Sequence, residues 1–348
     1  MRIGIVNDNK GNVLVLENTI RELTDHEIIW VAENGAQAVA KCVDNTPDLV
    51  LMDLLMPVMD GVQATREIME HTPCAILIVT ASISTNAALV FEAMGAGALD
   101  VVKTPSIGGI SEKDEKYDLA RKIQIVKNLV SSTPKTSDSD KNDTAHPDDH
   151  KYKNQLVVFG ASTGGPGVLA TILKGIPADF HVPIIIIQHV DSSFAGSFAD
   201  WLNKQCILDV SIAKEGDVPQ AGSVLIAGTN EHLVMTKSAR LAYSAEPEDY
   251  IYKPSVNVFF NSVAKYWQGD IVASLLTGMG KDGAEGLANI HNKNGYTITQ
   301  TKETCAVYGM PKAADELGCS NKSLDPDDIA SMIMELTGYN HDKKMDQA

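Results

Sequence analysis

Ser162 stands in Gly160-Ala161-Ser162-Thr163-Gly164, just after the apolar run Leu156–Phe159 and just before the helical pattern VLATILKGI. A serine in a G-x-S-x-G turn between strand and helix is presented as an exposed nucleophile. The helix beyond it offers N–H dipoles to developing negative charge. The plain alternative is a serine that caps the helix. A phosphate loop fails on spacing. Pro166 stands where G-x-x-x-x-G-K-[ST] needs lysine, and Ser162 stands where G-x-G-x-x-G needs glycine.

A serine nucleophile needs a base, and the base needs an orienting partner. His189 follows the run Ile184–Ile187 and Gln188, with Asp191-Ser192-Ser193 opening the next helix. His232, in Gly228-Thr229-Asn230-Glu231-His232, competes with it from a less regular region. His181 and His291 lie away from strand ends and are weaker. The acid is suggested by SLLTGMGKDGAEGL, where Asp282 follows a buried run through a glycine-rich loop. Asp282 with Glu285 three residues on also reads as a capping box for the helix that follows. The order Ser…His…Asp differs from the α/β-hydrolase order.

A second constellation lies near the N-terminus. Asp53 ends the run LVLM, and Asp8 comes soon after the run Ile3–Val6. Thr80 ends ILIVT, and Lys103 ends LDVVK before Thr104-Pro105. Two carboxylates brought together form a hard oxygen site of the kind Mg²⁺ prefers. With a hydroxyl and an ammonium at the same edge, the set suits an acyl phosphate formed on Asp53.

These residues require strands that end at a common edge. Five strands are expected at Ile3–Val6, Ile28–Ala32, Leu49–Met52, Ile76–Val79 and Leu99–Val102, with helices between. Val13, Leu16, Ile20 and Leu23 share a face of the first helix, and a last helix is expected from Tyr117 to Val130. Such an order suggests a flavodoxin-like doubly wound sheet, whose ligands bind beyond the strand carboxyl ends. Further strands are expected at Leu156–Phe159, Ile184–Ile187, Val224–Ala227, Ile271–Leu276 and Tyr296–Thr299. They describe a second doubly wound, mainly parallel α/β domain. Alternating runs within 230–252 suggest an antiparallel insertion. Ser162, His189 and Asp282 then all lie past strand carboxyl ends of one sheet.

Between the two halves, SSTPKTSDSDKNDTAHPDDH (131–150) has one alanine and no larger apolar residue, so it reads as a linker. The expected divisions are 1–125, a linker at 126–152, a second domain at 153–340 and a tail at 341–348. The chain has 348 residues and a formal charge of −16. That balance disfavours a surface that tracks nucleic-acid phosphates or anionic lipid. The second half also lacks the basic recognition helix of a transcription factor. Asp8 leaves no room for a signal-peptide core, and no apolar run approaches a membrane span. Five scattered cysteines without a C-x-x-C pair suggest reduced thiols in a cytoplasmic protein.

The motifs also carry resemblances. Residues 1–125 resemble a response-regulator receiver domain through Asp8, Asp53, Met56-Pro57…Asp60-Gly61, Thr80 and Lys103-Thr104-Pro105. This implies that Asp53 takes a phosphoryl group from a sensor histidine kinase with Mg²⁺ as cofactor. Asp8, Asp53 and the Leu55 carbonyl would hold the metal, and Thr80 and Lys103 would serve the switch. Asn7 stands where receivers carry a second acid.

Residues 154–338 resemble the catalytic domain of the chemotaxis receptor protein-glutamate methylesterases. GASTGG (160–165), IQH (187–189), KPSVNVFFNSVAK (253–265), LLTGMGKDGAEGL (275–287) and VYGMPKAA (307–314) carry this. The resemblance implies Ser162 as nucleophile, His189 as base, Asp282 as orienting acid, and Thr163 and Met279 at an oxyanion pocket. It also implies receptor methyl esters and glutamines as substrates, with no cofactor for the ester step. The family usually has Asp at the position of Asn257. The competing expectation is a non-enzymatic, phospho-regulated binding module of a signalling array.

Overall fold

The computed structural model describes residues 1–82, 85–106, 112–130, 154–248, 250 and 252–339. The chain forms two compact units: residues 1–82 with 101–153, and residues 83–100 with 154–348. The greater part of the expected linker, 131–152, and the expected tail, 341–348, lie outside the described residues.

The N-terminal half runs β1 (Arg2–Val6), α1 (Lys10–Leu23), β2 (Glu27–Ala32), α2 (Gly35–Asp44), β3 (Leu49–Met52) and α3 (Gly61–His71). It continues with β4 (Ala75–Thr80), α4 (Ala87–Gly95), β5 (Asp100–Lys103) and α5 (Glu112–Val130). The sheet order is β2-β1-β3-β4-β5, the flavodoxin-like order. β1 pairs in parallel with β2 and β3, and β3 with β4. Helix starts follow from their caps: Asn9, Asn34 and Asp60 accept backbone N–H groups opening α1, α2 and α3. Two local readings need correction. α1 buries Val15, Leu16, Thr19 and Ile20, while Leu23, in its last turn, is exposed. α5 begins five residues before the expected Tyr117.

The C-terminal half runs β6 (Leu156–Ala161), α6 (Gly165–Lys174), β7 (Ile184–Gln188), α7 (Ser192–Gln205), β8 (Asp209–Ile212) and β9 (Ser223–Ile226). A hairpin follows, β10 (His232–Met235) and β11 (Leu241–Ser244). Then come α8 (Val256–Tyr266), β12 (Ile271–Leu275), α9 (Ala284–His291), β13 (Tyr296–Gln300), α10 (Met310–Glu316), β14 (Lys322–Leu324) and α11 (Pro326–Leu336). The main sheet has seven strands in the order β14-β13-β12-β6-β7-β9-β8, and its pairings are parallel. The hairpin is the antiparallel insertion expected within 230–252. β8 and β14 escaped the sequence pattern because both are short edge strands with exposed positions.

The period-2 rule explains the two apolar layers. Val157, Phe159, Ile184 and Ile186 face α6, α7 and α11, whereas Leu156, Val158, Ile185 and Ile187 face α8, α9 and α10. Burial on both faces gives continuous apolar strands. β6 lies between β7 and β12, so the chain leaves it in both directions. Its carboxyl end is therefore a topological switch point, the place where such sheets leave a crevice.

Candidate active site

Ser162 follows β6 and is buried at 9% exposure. Its backbone N–H donates to the Thr277 carbonyl at 3.0 Å. Gly164 takes a φ of +79°, the left-handed turn that starts α6 without a side-chain cap. A side chain at Gly278 would meet the Ser162 Cβ at 2.7 Å, so glycine there lets the loop after β12 close on the serine. Pairing of Ala161 with Gln188 brings His189, the residue after β7, to the same edge. Gln188 ties the two loops together, donating its side-chain N–H groups to the carbonyls of Ser162 (2.9 Å) and His189 (3.2 Å).

The imidazole of His189 donates from Nε2 to Asp282 Oδ2 at 2.8 Å. Its Nδ1 is buried and has no hydrogen-bond partner among the described residues. With the proton on Nε2, Nδ1 is the acceptor left to serve a hydroxyl. Ser162 Oγ makes no hydrogen bond to a described residue.

Asp282 corrects the capping-box expectation. The N-cap of α9 is Gly283, with no side-chain capping bond. The Asp282 carboxylate instead caps another helix. It accepts from Ser255 Oγ (2.8 Å), Val256 N (2.7 Å) and Asn257 N (3.0 Å) at the start of α8. Burial alone would raise its pKa. Hydrogen bonds and charge from His189, then those of Asn257 and Ser255, outweigh burial and hold the carboxyl below its ordinary range. An ionised, four-fold bonded carboxylate thus fixes the imidazole tautomer.

The rival histidines sit elsewhere. His232 is fully buried on β10, where Nε2 donates to the Pro247 carbonyl (3.1 Å) and Nδ1 accepts from Ser255 N (3.1 Å). Burial holds its pKa below the usual histidine value. Both nitrogens are used, so it has no free base position. His232 instead supports the Ser255 segment that binds Asp282. His181 is exposed before β7, and His291 bonds Thr297 Oγ1 at the end of α9.

Thr163 follows the serine and Met279 follows Gly278 in the loop after β12, and neither backbone N–H donates to a described partner. Thr277 couples these loops, since its Oγ1 donates to the Thr163 carbonyl (2.9 Å) and accepts from Val307 N (2.9 Å). Asn257 accepts from Gly286 N through Oδ1, so it caps α9 where Asp282 does not. The sequence reading passed over Gln188, Ser255 and Thr277. Only Ser255, placed before a helical run as an N-cap, carried a local signal.

In the first unit, Asp53 follows β3. Its Oδ1 accepts from Leu54 N (2.7 Å) and its Oδ2 from Asn7 Nδ2 (2.9 Å). A side chain at Gly61 would strike the Asp53 carbonyl, which explains the Asp60-Gly61 turn. Burial first, and then the charge of Asp8, push the Asp53 pKa up to about 6 against the Leu54 and Leu55 N–H groups. Asp8 is exposed beside it, and Thr80 is buried at the end of β4. The Lys103 ammonium bonds Glu115 at 2.7 Å. A divalent cation fits this pair, because two repelling carboxylates are what its charge would relieve.

Residues 157–333 match the CheB methylesterase family model, and residues 3–107 match the response regulator receiver domain. The chain is also 48% identical over 336 residues to protein-glutamate methylesterase/protein-glutamine glutaminase 1 of Pseudomonas fluorescens (strain Pf0-1), spanning 97% of this chain and 99% of that one. The chain belongs to the CheB methylesterase family. Enzyme 3 of the same name from Pseudomonas aeruginosa PAO1 is 47% identical over 97% of this chain and 99% of its own. The solved CheB methylesterase catalytic domain of Thermotoga maritima is 33% identical and has a TM-score of 0.50. It covers 53% of this chain and 99% of itself. As a CheB family member the chain is a methylesterase with a receiver domain, and its two halves carry the two doubly wound folds expected. Receiver domains are phosphorylated with Mg²⁺. No helix among the described residues is long and apolar enough to cross a membrane.

Proposed function

We propose that this chain hydrolyses glutamyl γ-methyl esters on the cytoplasmic helices of methyl-accepting chemoreceptors, and that phosphorylation of Asp53 raises the rate. The observation that supports this best is the His189 imidazole, anchored through Nε2 on Asp282 with Nδ1 left without a partner among the described residues, at the end of the strand that neighbours the one leading into Ser162.

Ser162 Oγ adds to the ester carbonyl carbon while its proton passes to His189 Nδ1. Asp282 stabilises the resulting imidazolium. The carbonyl oxygen, now negative, is met by the N–H groups of Thr163 and Met279. The C–OCH₃ bond then breaks and the methoxide takes the proton from Nδ1, leaving as methanol. Water attacks the acyl-enzyme and gives its proton to Nδ1. The C–Oγ bond breaks, Ser162 regains that proton, and glutamate is released. The same sequence on a glutamine side chain releases ammonia, which accounts for a glutaminase activity.

In the receiver, Asp8, Asp53 and the Leu55 carbonyl would hold Mg²⁺, which supplies charge neutralisation for phosphoryl transfer. Asp53 accepts the phosphoryl group from a sensor histidine kinase, and Thr80 and Lys103 respond to its oxygens. Lys103 must then exchange Glu115 for the phosphoryl group.

The test is methanol release from a methylated receptor fragment, with and without a small acyl-phosphate donor. Release that depends on Ser162 and rises with the donor agrees with the reading. A wild-type chain that binds receptor yet releases no methanol would overturn it in favour of a binding module.

A further inference from the structure

The ring of Tyr252 lies flat on the imidazole of His189, with centroids 4.3 Å apart and planes 9° from parallel. Tyr252 belongs to the segment between β11 and α8 and is part of none of the nucleophile, base or acid motifs. It is half-buried, and its hydroxyl makes no hydrogen bond to a described residue. What it presents to the site is therefore the ring face.

The edge of the imidazole is already assigned: Nε2 to Asp282, Nδ1 to proton transfer. Its face is what remains, and Tyr252 covers it. A neutral imidazole gains only dispersion from the stack. In both halves of the reaction it carries a second proton and becomes a cation. A cation within about 6 Å of an aromatic centroid is attracted by the negative quadrupole of the ring face. The contact is then stronger in the transition state than in the ground state, which is the condition for accelerating a chemical step. Asp282 meets the cation in the plane of the ring, and Tyr252 meets it along the normal.

We propose that Tyr252 is a further catalytic residue, whose ring face stabilises the His189 imidazolium during ester hydrolysis. The proposal rests on the methylesterase reading and adds a group to the same site.

The experiment uses the full-length chain with an acyl-phosphate donor and Mg²⁺, and a receptor cytoplasmic fragment carrying glutamyl γ-methyl esters. Tyr252 is replaced by phenylalanine, and then by trifluoro- and pentafluorophenylalanine. These keep the shape of the ring and drain its face of negative charge. Tyr252→Leu is added, with circular dichroism to check the fold, and Ser162→Ala sets the background. The phenylalanine variant should keep at least half the wild-type kcat. Successive fluorination should lower kcat by about 3- to 10-fold in total, with KM within about twofold, as a cation–π contact of ordinary strength requires. Fluorinated variants as fast as the phenylalanine variant would overturn the proposal, as would a loss confined to KM. Both outcomes leave the methylesterase reading standing if wild type exceeds Ser162→Ala. A wild type equal to Ser162→Ala overturns that reading itself and the proposal with it.

Discussion

At the residue scale, two nearby histidines are separated by what their nitrogens have left to do. His189 has one nitrogen anchored and one without a partner, whereas His232 has both engaged. Ser162→Ala and His189→Ala should each lower kcat by about 10³-fold or more, because members of a triad act as a unit. His232→Ala should cost less activity and more stability, about 1–3 kcal/mol, since it strands the buried Ser255 N–H. Methanol release and urea titration of the three variants check this. A dead His232→Ala beside a near-normal His189→Ala would reverse the assignment. Asn7 belongs to the same scale. It donates to Asp53 where a second acid would add charge, so Asn7→Asp should tighten Mg²⁺ binding. Mg²⁺ titration followed by calorimetry gives the direction, and unchanged or weaker affinity would remove the charge argument.

At the element scale, the start of α8 holds Asp282, the proposed catalytic acid. Asp282 accepts two backbone N–H groups there and the Ser255 hydroxyl, so helix and triad share one carboxylate. Asp282→Asn places an amide NH₂ against donors and should cost about 2–4 kcal/mol as well as most activity. The sign of the pH dependence follows. Asp282 has a folded pKa below its unfolded value, so its stabilisation is full above about pH 4 and is lost as pH falls through the folded pKa. His232 is also depressed. Its contribution is present above about pH 6.5 and lost as pH falls from there through its folded value. The His232 and Asp282 contributions to the urea midpoint should therefore fall one after the other on acidification, and His232→Asn should reduce the loss below about pH 6.5. Asn257 caps α9 through a side-chain acceptor oxygen, which an Asp at that position would also supply.

At the scale of the whole molecule, the proposed catalytic groups follow β6, β7 and β12, all in the second half. The Thermotoga maritima catalytic domain, solved on its own, matches that half. A fragment beginning near Lys151 should therefore fold and release methanol without responding to a phosphodonor, and should be faster than the unphosphorylated full chain. A well-folded fragment slower than that parent would mean the receiver contributes positively to activity. Asp53→Asn in the full chain should leave basal methanol release and abolish the response to the donor.

The sequence by itself determined most of the buried strands and which residues follow them. Continuous β-branched runs mark doubly buried strands, and residues that follow such runs lie at a sheet edge whatever packs around them. That is why Ser162, His189, Asp53 and Thr80 were legible, together with the flavodoxin-like order of the first half. Tertiary structure decided what lies between segments distant in the chain. The N-cap geometry around Asp282 read locally as a box with Glu285, but a carboxylate binds whichever N–H groups face it, and those belonged to α8, some 25 residues earlier. His232 and His189 are alike as sequence, each a lone histidine near apolar residues. Only packing shows that one has spent both nitrogens on backbone groups and the other lies between Asp282 and the face of Tyr252. Hydrogen-bond saturation is a property of the folded surroundings, and no local pattern encodes it.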